Sequence, residues 1–275
     1  MQNEVNSFLE YLRESGIYAQ NTYSTYKKSL EKLIDYIGAD TDVRTIRKKH
    51  LQDFINSLPE SLKATTVNHH VYVTRLFFKF LLEFDFIEGD VSSVLKTKEQ
   101  SHIEVETIDE EVFDKLIDFD LENILDYRDK AILLLMYYTG ALPGEICSLT
   151  LNDYDSDNKT VTYRRTTGIR TLKINLEITK ILDEYIRIKE DYRPAVAIFA
   201  SKNDNELNHR TLFNIIRKRT KDANIKQRVS GMVFRFSYAD RLFKEGTDIR
   251  KIQKLLGHSH TYLTQRFMYM LPDDN

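Results

Sequence analysis

One segment near the end of the chain reads Asp248-Ile-Arg-Lys-Ile-Gln-Lys-Leu-Leu-Gly-His258-Ser259. Its apolar spacing predicts a helix over Asp248–Leu255, and Gly257 supplies the kind of residue that follows a helix end. A second helix is predicted over Thr261–Met268. The segment therefore places one histidine, His258, in a turn between two short helices.

The overall composition limits the class of protein. The chain has 275 residues, 41% of them hydrophobic, which suggests two globular domains. One cysteine excludes an internal disulfide framework and a zinc-ribbon cluster. No apolar run approaches the roughly 20 residues that span a bilayer, and the first residues do not resemble a secretion signal. We therefore expect a cytoplasmic protein without a metal, another cofactor or a membrane partner.

Helical spacing dominates residues 1–98. Four amphipathic helices are predicted there, over Val5–Leu12, Leu30–Ile37, Leu51–Leu58 and Val67–Phe84. They predict a compact helical bundle as the first domain, residues 1–98, and a polar linker follows at residues 99–105.

Residues 106–275 form the second predicted domain, which mixes helices with a few strands. The predicted helices there include Asp109–Phe119, Leu125–Thr139, Ile178–Lys189, Arg210–Ala223 and Val233–Glu245. The runs Thr160–Arg165 and Arg170–Leu176 read as a β-hairpin, and Asn152–Asn158 reads as a turn cluster. The predicted class is mainly α with a small antiparallel sheet.

The net charge of −2 argues weakly against a nucleic-acid partner, but the charges are unevenly distributed. Residues 202–228 hold eight Lys or Arg residues against three acids. The predicted hairpin carries Arg164, Arg165 and Arg170 with no acid between Tyr163 and Lys173. Because like charges on neighbouring strands repel, a polyanion partner accounts for them better than a solvated surface does.

Several segments together resemble the tyrosine recombinase (phage integrase) family. Tyr138–Leu149 resembles its first catalytic box, Met232–Leu242 its second arginine box, and Asp248–Ser259 its Leu-Gly-His box almost residue by residue. Asn21–Leu30 and Lys63–Phe78 look like parts of the family's helical, SAM-like core-binding domain. The resemblance implies that domain over residues 1–98 and a recombinase-type catalytic fold over residues 106–275.

The resemblance also implies a chemistry that needs no metal. In the family, a tyrosine hydroxyl attacks a DNA phosphate and forms a covalent link to it. Two arginines stabilise the charge that builds on the phosphate, a hairpin lysine protonates the leaving oxygen, and histidines position and transfer protons.

Only part of this catalytic set is present. The resemblance carries retained family positions onto Glu145, Arg235 and His258. Five other positions lack the required group: Leu142 (arginine in the family), Thr167 (the hairpin lysine), Met232 and Phe236 (histidines), and Phe267 (the nucleophile). Phenylalanine has no oxygen with which to attack, so we expect no strand cleavage. Met232, Phe234 and Phe236 are interpreted as packed core in place of a polar site.

Three residues keep two interpretations each. Arg235 either binds a DNA phosphate or forms an ion pair with an acid such as Glu145. His258 either contacts phosphate or is a buried structural histidine. Tyr269 lies two residues beyond Phe267, and a shifted helix register would make it the nucleophile of a divergent active enzyme.

The resemblance and the basic spacing assign DNA contacts to both domains. In the first domain the candidates are Lys27, Lys28, Thr66, His69, His70 and Arg75. In the second domain they are Arg164, Arg165, Arg170, His209, Arg210, Asn214, Arg217 and Arg235. By resemblance the helix predicted over Arg210–Ala223 enters the major groove, where arginine and asparagine read base edges. Arg219 and Lys221 are expected on its basic face.

The resulting prediction is a sequence-specific double-stranded DNA-binding protein that has lost strand cleavage and acts as a phage or mobile-element regulator, such as a repressor. A divergent active recombinase is one alternative. A protein-interaction module that no longer binds DNA is another. The apolar segment Thr264–Leu271 predicts self-association, since family members exchange a C-terminal helix between subunits.

Overall fold

The computed structural model describes residues 1–16, 20–99, 105–165, 168–192, 197–200 and 207–271, without the side chains of 190–192. The chain divides into two compact units, Met1–Ser101 and His102–Asn275. Most of the predicted linker, residues 100–104, lies outside the described ranges.

The first unit is helical in its described part. Its helices are α1 (Gln2–Glu14), α2 (Gln20–Ile37), α3 (Lys48–Ser57) and α4 (Ala64–Glu83), with 3₁₀ turns at Val43–Thr45 and Ser92–Val94. Leu30, Leu33, Phe77 and Phe78 have no exposed surface and lie at the centre of the bundle. Gly38, which follows the last residue of α2, has a φ of 105°, a conformation that favours glycine.

Helix α4 also holds the end of this unit. The Asn68 amide donates to the carbonyl of Lys98 at 2.9 Å and accepts from its backbone N–H at 2.7 Å. The Arg75 guanidinium donates to the carbonyl of Leu95. These bonds satisfy backbone groups that no helix or strand pairs, and they anchor residues 95–98 on α4.

The second unit packs helices around a three-stranded sheet. Its helices are α5 (Glu110–Ile117), α6 (Ile124–Thr139), α7 (Pro143–Cys147), α8 (Leu176–Tyr192), α9 (His209–Asp222), α10 (Gly231–Lys244), α11 (Ile249–Leu256) and α12 (Thr261–Met268). The strands are β1 (Tyr154–Asp155), β2 (Thr160–Arg165) and β3 (Gly168–Lys173), antiparallel in that order. The mainly α class with a small antiparallel sheet is confirmed.

Two details of the sheet differ from the sequence prediction. The cluster interpreted as a turn contributes β1, because Tyr154 pairs with Val161 and Asp155 with Thr160. Strand β3 ends at Lys173 and begins at Gly168, which pairs with Arg165.

Helix α6 is the centre of the second unit. Its residues Ala131–Tyr137 are buried on every face, as expected of a helix enclosed by its neighbours. The Asn123 side chain caps its first turn by accepting from the backbone N–H of Leu125 at 2.9 Å. Gly140, with a φ of 59°, ends it.

A buried network of charges attaches α9 to α6. The Arg219 guanidinium donates to Asp129 at 2.9 Å and to Asp126 at 2.6 Å, and Arg128 donates to Asp129 at 2.7 Å. Arg219 also lies over the Phe119 ring, with 4.0 Å between the guanidinium carbon and the ring centroid. The expectation that Arg219 belongs to an exposed basic face is therefore wrong, since its side chain is 7% exposed.

Replacing Arg219→Ala removes the cation that bonds both Asp126 and Asp129, and only Asp129 keeps another cationic partner, Arg128, among the ion pairs described. We expect the free energy of unfolding to fall by about 3–5 kcal/mol, the usual cost of breaking a buried ion pair. Urea unfolding followed by circular dichroism measures it. Lys115→Ala is the matched control, because its ion pair with Glu111 is solvent-exposed and its loss should leave the free energy of unfolding nearly unchanged. Equal effects of the two variants would contradict the structural role of Arg219.

Candidate functional site

The short helix α7 presents the first catalytic box. Leu142 precedes it, and the Leu142 backbone N–H donates to Oε2 of Glu145 at 2.8 Å. Pro143 occupies the first helical turn, where a missing N–H costs nothing. The Leu142 side chain has no polar atom, so this helix start offers no guanidinium to a phosphate.

Glu145 pairs with Arg170 of β3, and not with Arg235. The Arg170 Nη2 donates to Glu145 Oε2 at 2.8 Å and its Nε to Oε1 at 3.3 Å. Arg170 is 7% exposed, and its guanidinium lies over the Tyr163 ring at 4.7 Å. One of the two interpretations of Arg235, the ion pair with Glu145, is therefore wrong. The premise that Arg170 is an unpaired surface cation is wrong as well.

Arg170 also bonds two carbonyls at helix ends. Its Nη1 donates to the carbonyl of Thr139, at the end of α6, at 3.0 Å. The same nitrogen donates to the carbonyl of Leu255, in the last turn of α11. The C-terminal carbonyls of a helix lack partners within the helix and carry partial negative charge. A guanidinium there donates hydrogen bonds to them and also balances that charge.

Arg235 of α10 bonds the two neighbouring carbonyls. Its Nη1 donates to Gly140 at 2.8 Å and its Nη2 to Leu256 at 2.5 Å. The side chain is 2% exposed. Burial, together with the nearby charge of Arg170, lowers the pKa of Arg235 to about 9. The retained arginine is thus held inside the protein by backbone groups of α6 and α11.

His258 follows the left-handed Gly257 that ends α11. Its Nδ1 lies 3.0 Å from the Thr264 hydroxyl, and Thr264 is fully buried in α12. Burial first, and then the charge of Arg235, lowers the pKa of His258 to about 4. The imidazole is therefore neutral at neutral pH and links α11 to α12.

Two aromatic rings occupy the place where the family resemblance expects a histidine and the nucleophile. Phe236 and Phe267 stack with ring centroids 4.0 Å apart and an angle of 18° between the planes. Phe236 is 8% exposed. The His258 ring lies against Phe267, with 5.4 Å between the ring centroids. The packed-core interpretation fits Phe234 and Phe236, but Met232 is 42% exposed, which contradicts it there.

A cationic cavity of about 530 Å³ lies beside these residues. It is lined by Glu145, Arg165, Arg170, Lys251, Lys254 and His258, among others. Lys251 and Lys254 were missed by the sequence analysis, although their i, i+3 spacing on α11 places them on one face. Thr167, the position expected for the hairpin lysine, lies outside the described residues.

The hairpin arginines differ from one another. Arg164 donates through Nε to Asp153 at 2.7 Å, so the expectation that it lacks an acidic partner is wrong. Its side chain is still 58% exposed. Arg165 is exposed at the end of β2.

Helix α9 presents a polar face along its length. His209, Arg210, Asn214 and Arg217 are all exposed, as their helical spacing predicts. Lys218 and Lys221 extend the same exposed surface. Leu212, Ile215 and Ile216 are buried on the opposite side.

The first-unit candidates divide into exposed and buried groups. Lys27 and Lys28 are exposed, and Nζ of Lys27 lies 3.9 Å from Oε1 of Glu31. Thr66 and His69 are partly buried. His70 is 5% exposed, and its Nδ1 lies 2.7 Å from the Ser29 hydroxyl, while Arg75 bonds the Leu95 carbonyl. The assignment of His70 to a DNA surface is wrong, because burial also lowers its pKa and keeps it uncharged.

The burial of His70 could have been predicted from the helical pattern of α4. Val67, Val71, Thr74 and Phe77 line the buried side of α4 at spacings of three and four, and His70 falls among them.

Within the described ranges, no group of His, Cys, Asp and Glu side chains is placed to hold a metal ion. None of the helices described there combines the length and the apolarity that crossing a membrane requires.

Comparison with known families gives the class of protein. Residues 106–272 match the phage integrase family, and residues 5–83 match the phage integrase N-terminal SAM-like domain. The chain therefore belongs to the phage integrase family, and the resemblance found in its sequence is confirmed.

Individual relatives are full-length matches at low identity. A tyrosine recombinase of Thermosipho africanus is 25% identical over 279 residues, covering 98% of this chain and 96% of the relative. The tyrosine recombinase XerD of Oceanobacillus iheyensis is 24% identical, with 98% and 94% covered.

Solved structures share the fold. The Tn1549 transposon integrase in complex with a circular intermediate DNA has a TM-score of 0.77 at 17% identity, covering 94% of this chain and 92% of the other. A lambda integrase dimer bound to a core site has a TM-score of 0.73 at 16% identity, covering 97% and 94%.

The lowered pKa of His258 predicts acid sensitivity. The folded protein binds this proton more weakly than the unfolded chain, whose histidine titrates near 6.5. The stabilisation is therefore complete above pH 6.5 and declines as the pH falls toward 4. We expect the Tm to drop between pH 7 and pH 5, and to drop less in His258→Asn.

Scanning calorimetry at both pH values measures this difference. His260→Asn is the matched control, because that histidine is exposed two residues further on. An identical pH dependence in wild type and His258→Asn would contradict the role of His258.

Proposed function

We propose that this chain binds a specific site in double-stranded DNA with residues of both units and does not cleave it. Its membership of the phage integrase family supports a DNA partner. The structures of the Tn1549 integrase in complex with a circular intermediate DNA and of a lambda integrase dimer bound to a core site support it as well.

The exposed cations provide the means of binding. The α9 face carries Arg210, Arg217 and the lysines beyond them, and the first unit adds Lys27 and Lys28. Contacts of such residues with phosphates supply affinity and position the protein, whereas contacts with base edges supply specificity. Asn214 and the α9 arginines have the side chains that read adenine and guanine in the major groove.

The stacked Phe236–Phe267 pair is the main observation that supports the proposed absence of cleavage. A phenyl ring at the nucleophile position offers no oxygen, and Leu142 offers no cation at the start of α7. Each missing charge-stabilising donor typically costs a factor of about 10²–10³ in rate. Two of the nearby guanidiniums, those of Arg170 and Arg235, already bond backbone carbonyls.

A DNA-binding chain without cleavage fits a regulator of a phage or mobile element, such as a repressor. Self-association through the segment Thr264–Leu271 fits the same proposal, since Tyr269 is 80% exposed there and Tyr262 and Leu263, just before the segment, are exposed as well. The lambda integrase structure, which is a dimer bound to a core site, supports pairing of such folds.

One observation favours a second candidate, a divergent active recombinase. Tyr269 is 80% exposed at the end of α12, two residues after Phe267, and its hydroxyl is open to a substrate. A recombinase using Tyr269 would still lack the guanidinium at Leu142.

A covalent-trapping experiment separates the two candidates. Genomic fragments that the protein retains are rebuilt as labelled duplexes with a nick near each candidate cleavage position, incubated with protein and denatured in SDS. We expect no retained label for the wild type, because Phe267 offers no oxygen. Phe267→Tyr should give at most slow adduct formation, because Leu142 still lacks a cation. An adduct that forms with wild type and disappears in Tyr269→Phe would overturn the proposal.

A salt titration tests the binding itself. We expect the logarithm of the affinity to fall linearly with the logarithm of salt concentration, with a slope near −0.9 for each phosphate contacted. Arg217→Ala should make the slope shallower by about one contact if that arginine binds phosphate, or relax base preference if it reads a base. Arg187→Ala, an exposed arginine of α8 paired with Glu184 at 2.6 Å, is the matched control. No retention of any duplex would contradict the proposal.

A further inference from the structure

The exposed face of α9 contains one large apolar side chain. Phe213 is 47% exposed, although its helix is polar along this face. The Arg217 guanidinium carbon lies 6.0 Å from the Phe213 ring centroid, one helical turn further on. Arg210 precedes it by three positions, so the ring lies between two cations and beside Asn214.

This position cannot belong to the core of the second unit. The buried side of α9 is formed by Leu212, Ile215 and Ile216, which point away from the exposed stripe. Phe213 therefore contributes little to packing and places an aromatic surface in water, among residues proposed to contact DNA.

The chemistry of the major groove restricts what such a ring can recognise. Each base pair presents hydrogen-bond donors and acceptors there, and thymine adds an apolar group, its C5 methyl. Phenylalanine can neither donate nor accept a conventional hydrogen bond, so its contribution to base recognition is contact with that methyl. The flanking cations supply the attraction to phosphates that brings the ring to the groove, and they disfavour a second copy of the same positive face.

We propose that Phe213 packs against the C5 methyl of a thymine and makes that T·A pair part of the recognised site. This assignment rests on the proposed DNA binding and deepens it, because it names the residue and the base group that determine one position of the sequence. Arg210, Asn214 and Arg217 then supply the polar contacts around it.

Replacing thymine by deoxyuridine tests the assignment, because it removes the methyl group and keeps the base pairing. The probes are duplexes selected by the protein from a randomised library, with each thymine in turn replaced by deoxyuridine. At one position per bound protein we expect affinity to fall about fourfold, the equivalent of one buried methyl group. In Phe213→Ala the methyl-bearing and methyl-free duplexes should bind equally, and Phe213→Leu should restore part of the difference.

Phe243→Ala is the matched control, since Phe243 is 51% exposed on α10 and should leave the thymine preference intact. Thermal unfolding of Phe213→Ala should match the wild type, because the ring is not part of the core. Binding of duplexes with the same thymine preference in wild type and Phe213→Ala would overturn this assignment alone. Failure of the wild type to select any duplex would overturn the proposed function and the assignment together.

Discussion

Two buried guanidiniums hold the second unit together at the ends of two helices. Arg170 and Arg235 reach the last carbonyls of α6 and α11 from β3 and α10, and Glu145 balances part of their charge. Helix ends buried without partners would be costly, since each unpaired carbonyl loses its bond to water. The placement of β3, α7, α10 and α11 around α6 depends on these bonds.

The same bonds give a structural role to the family positions that this chain retains. Glu145, Arg235 and His258 have contacts within the fold: with Arg170, with helix carbonyls and with Thr264. At two of the remaining positions the apolar groups pack against each other, because the rings of Phe236 and Phe267 stack.

Much of the fold could be predicted from local patterns. The predicted bounds of α12 agree with the structure, because short apolar spacing after Gly257 leaves little choice. Arg219 could not be placed, because its partners Asp126 and Asp129 lie about 90 residues away and no local pattern connects them. Arg170 was predictable in part: it faces Tyr163 across the hairpin and alternates with the buried Leu172, so strand periodicity points it inward.

The contacts of Arg235, Glu145 and His258 show that a sequence motif can indicate two different things, the fold of a protein and its reaction. Arg235 serves the fold by bonding helix-end carbonyls, and this role is independent of any reaction the protein performs. The presence of such a residue at a family position therefore indicates the fold. Catalysis requires, in addition, a reacting oxygen and a cation that is free to contact the substrate.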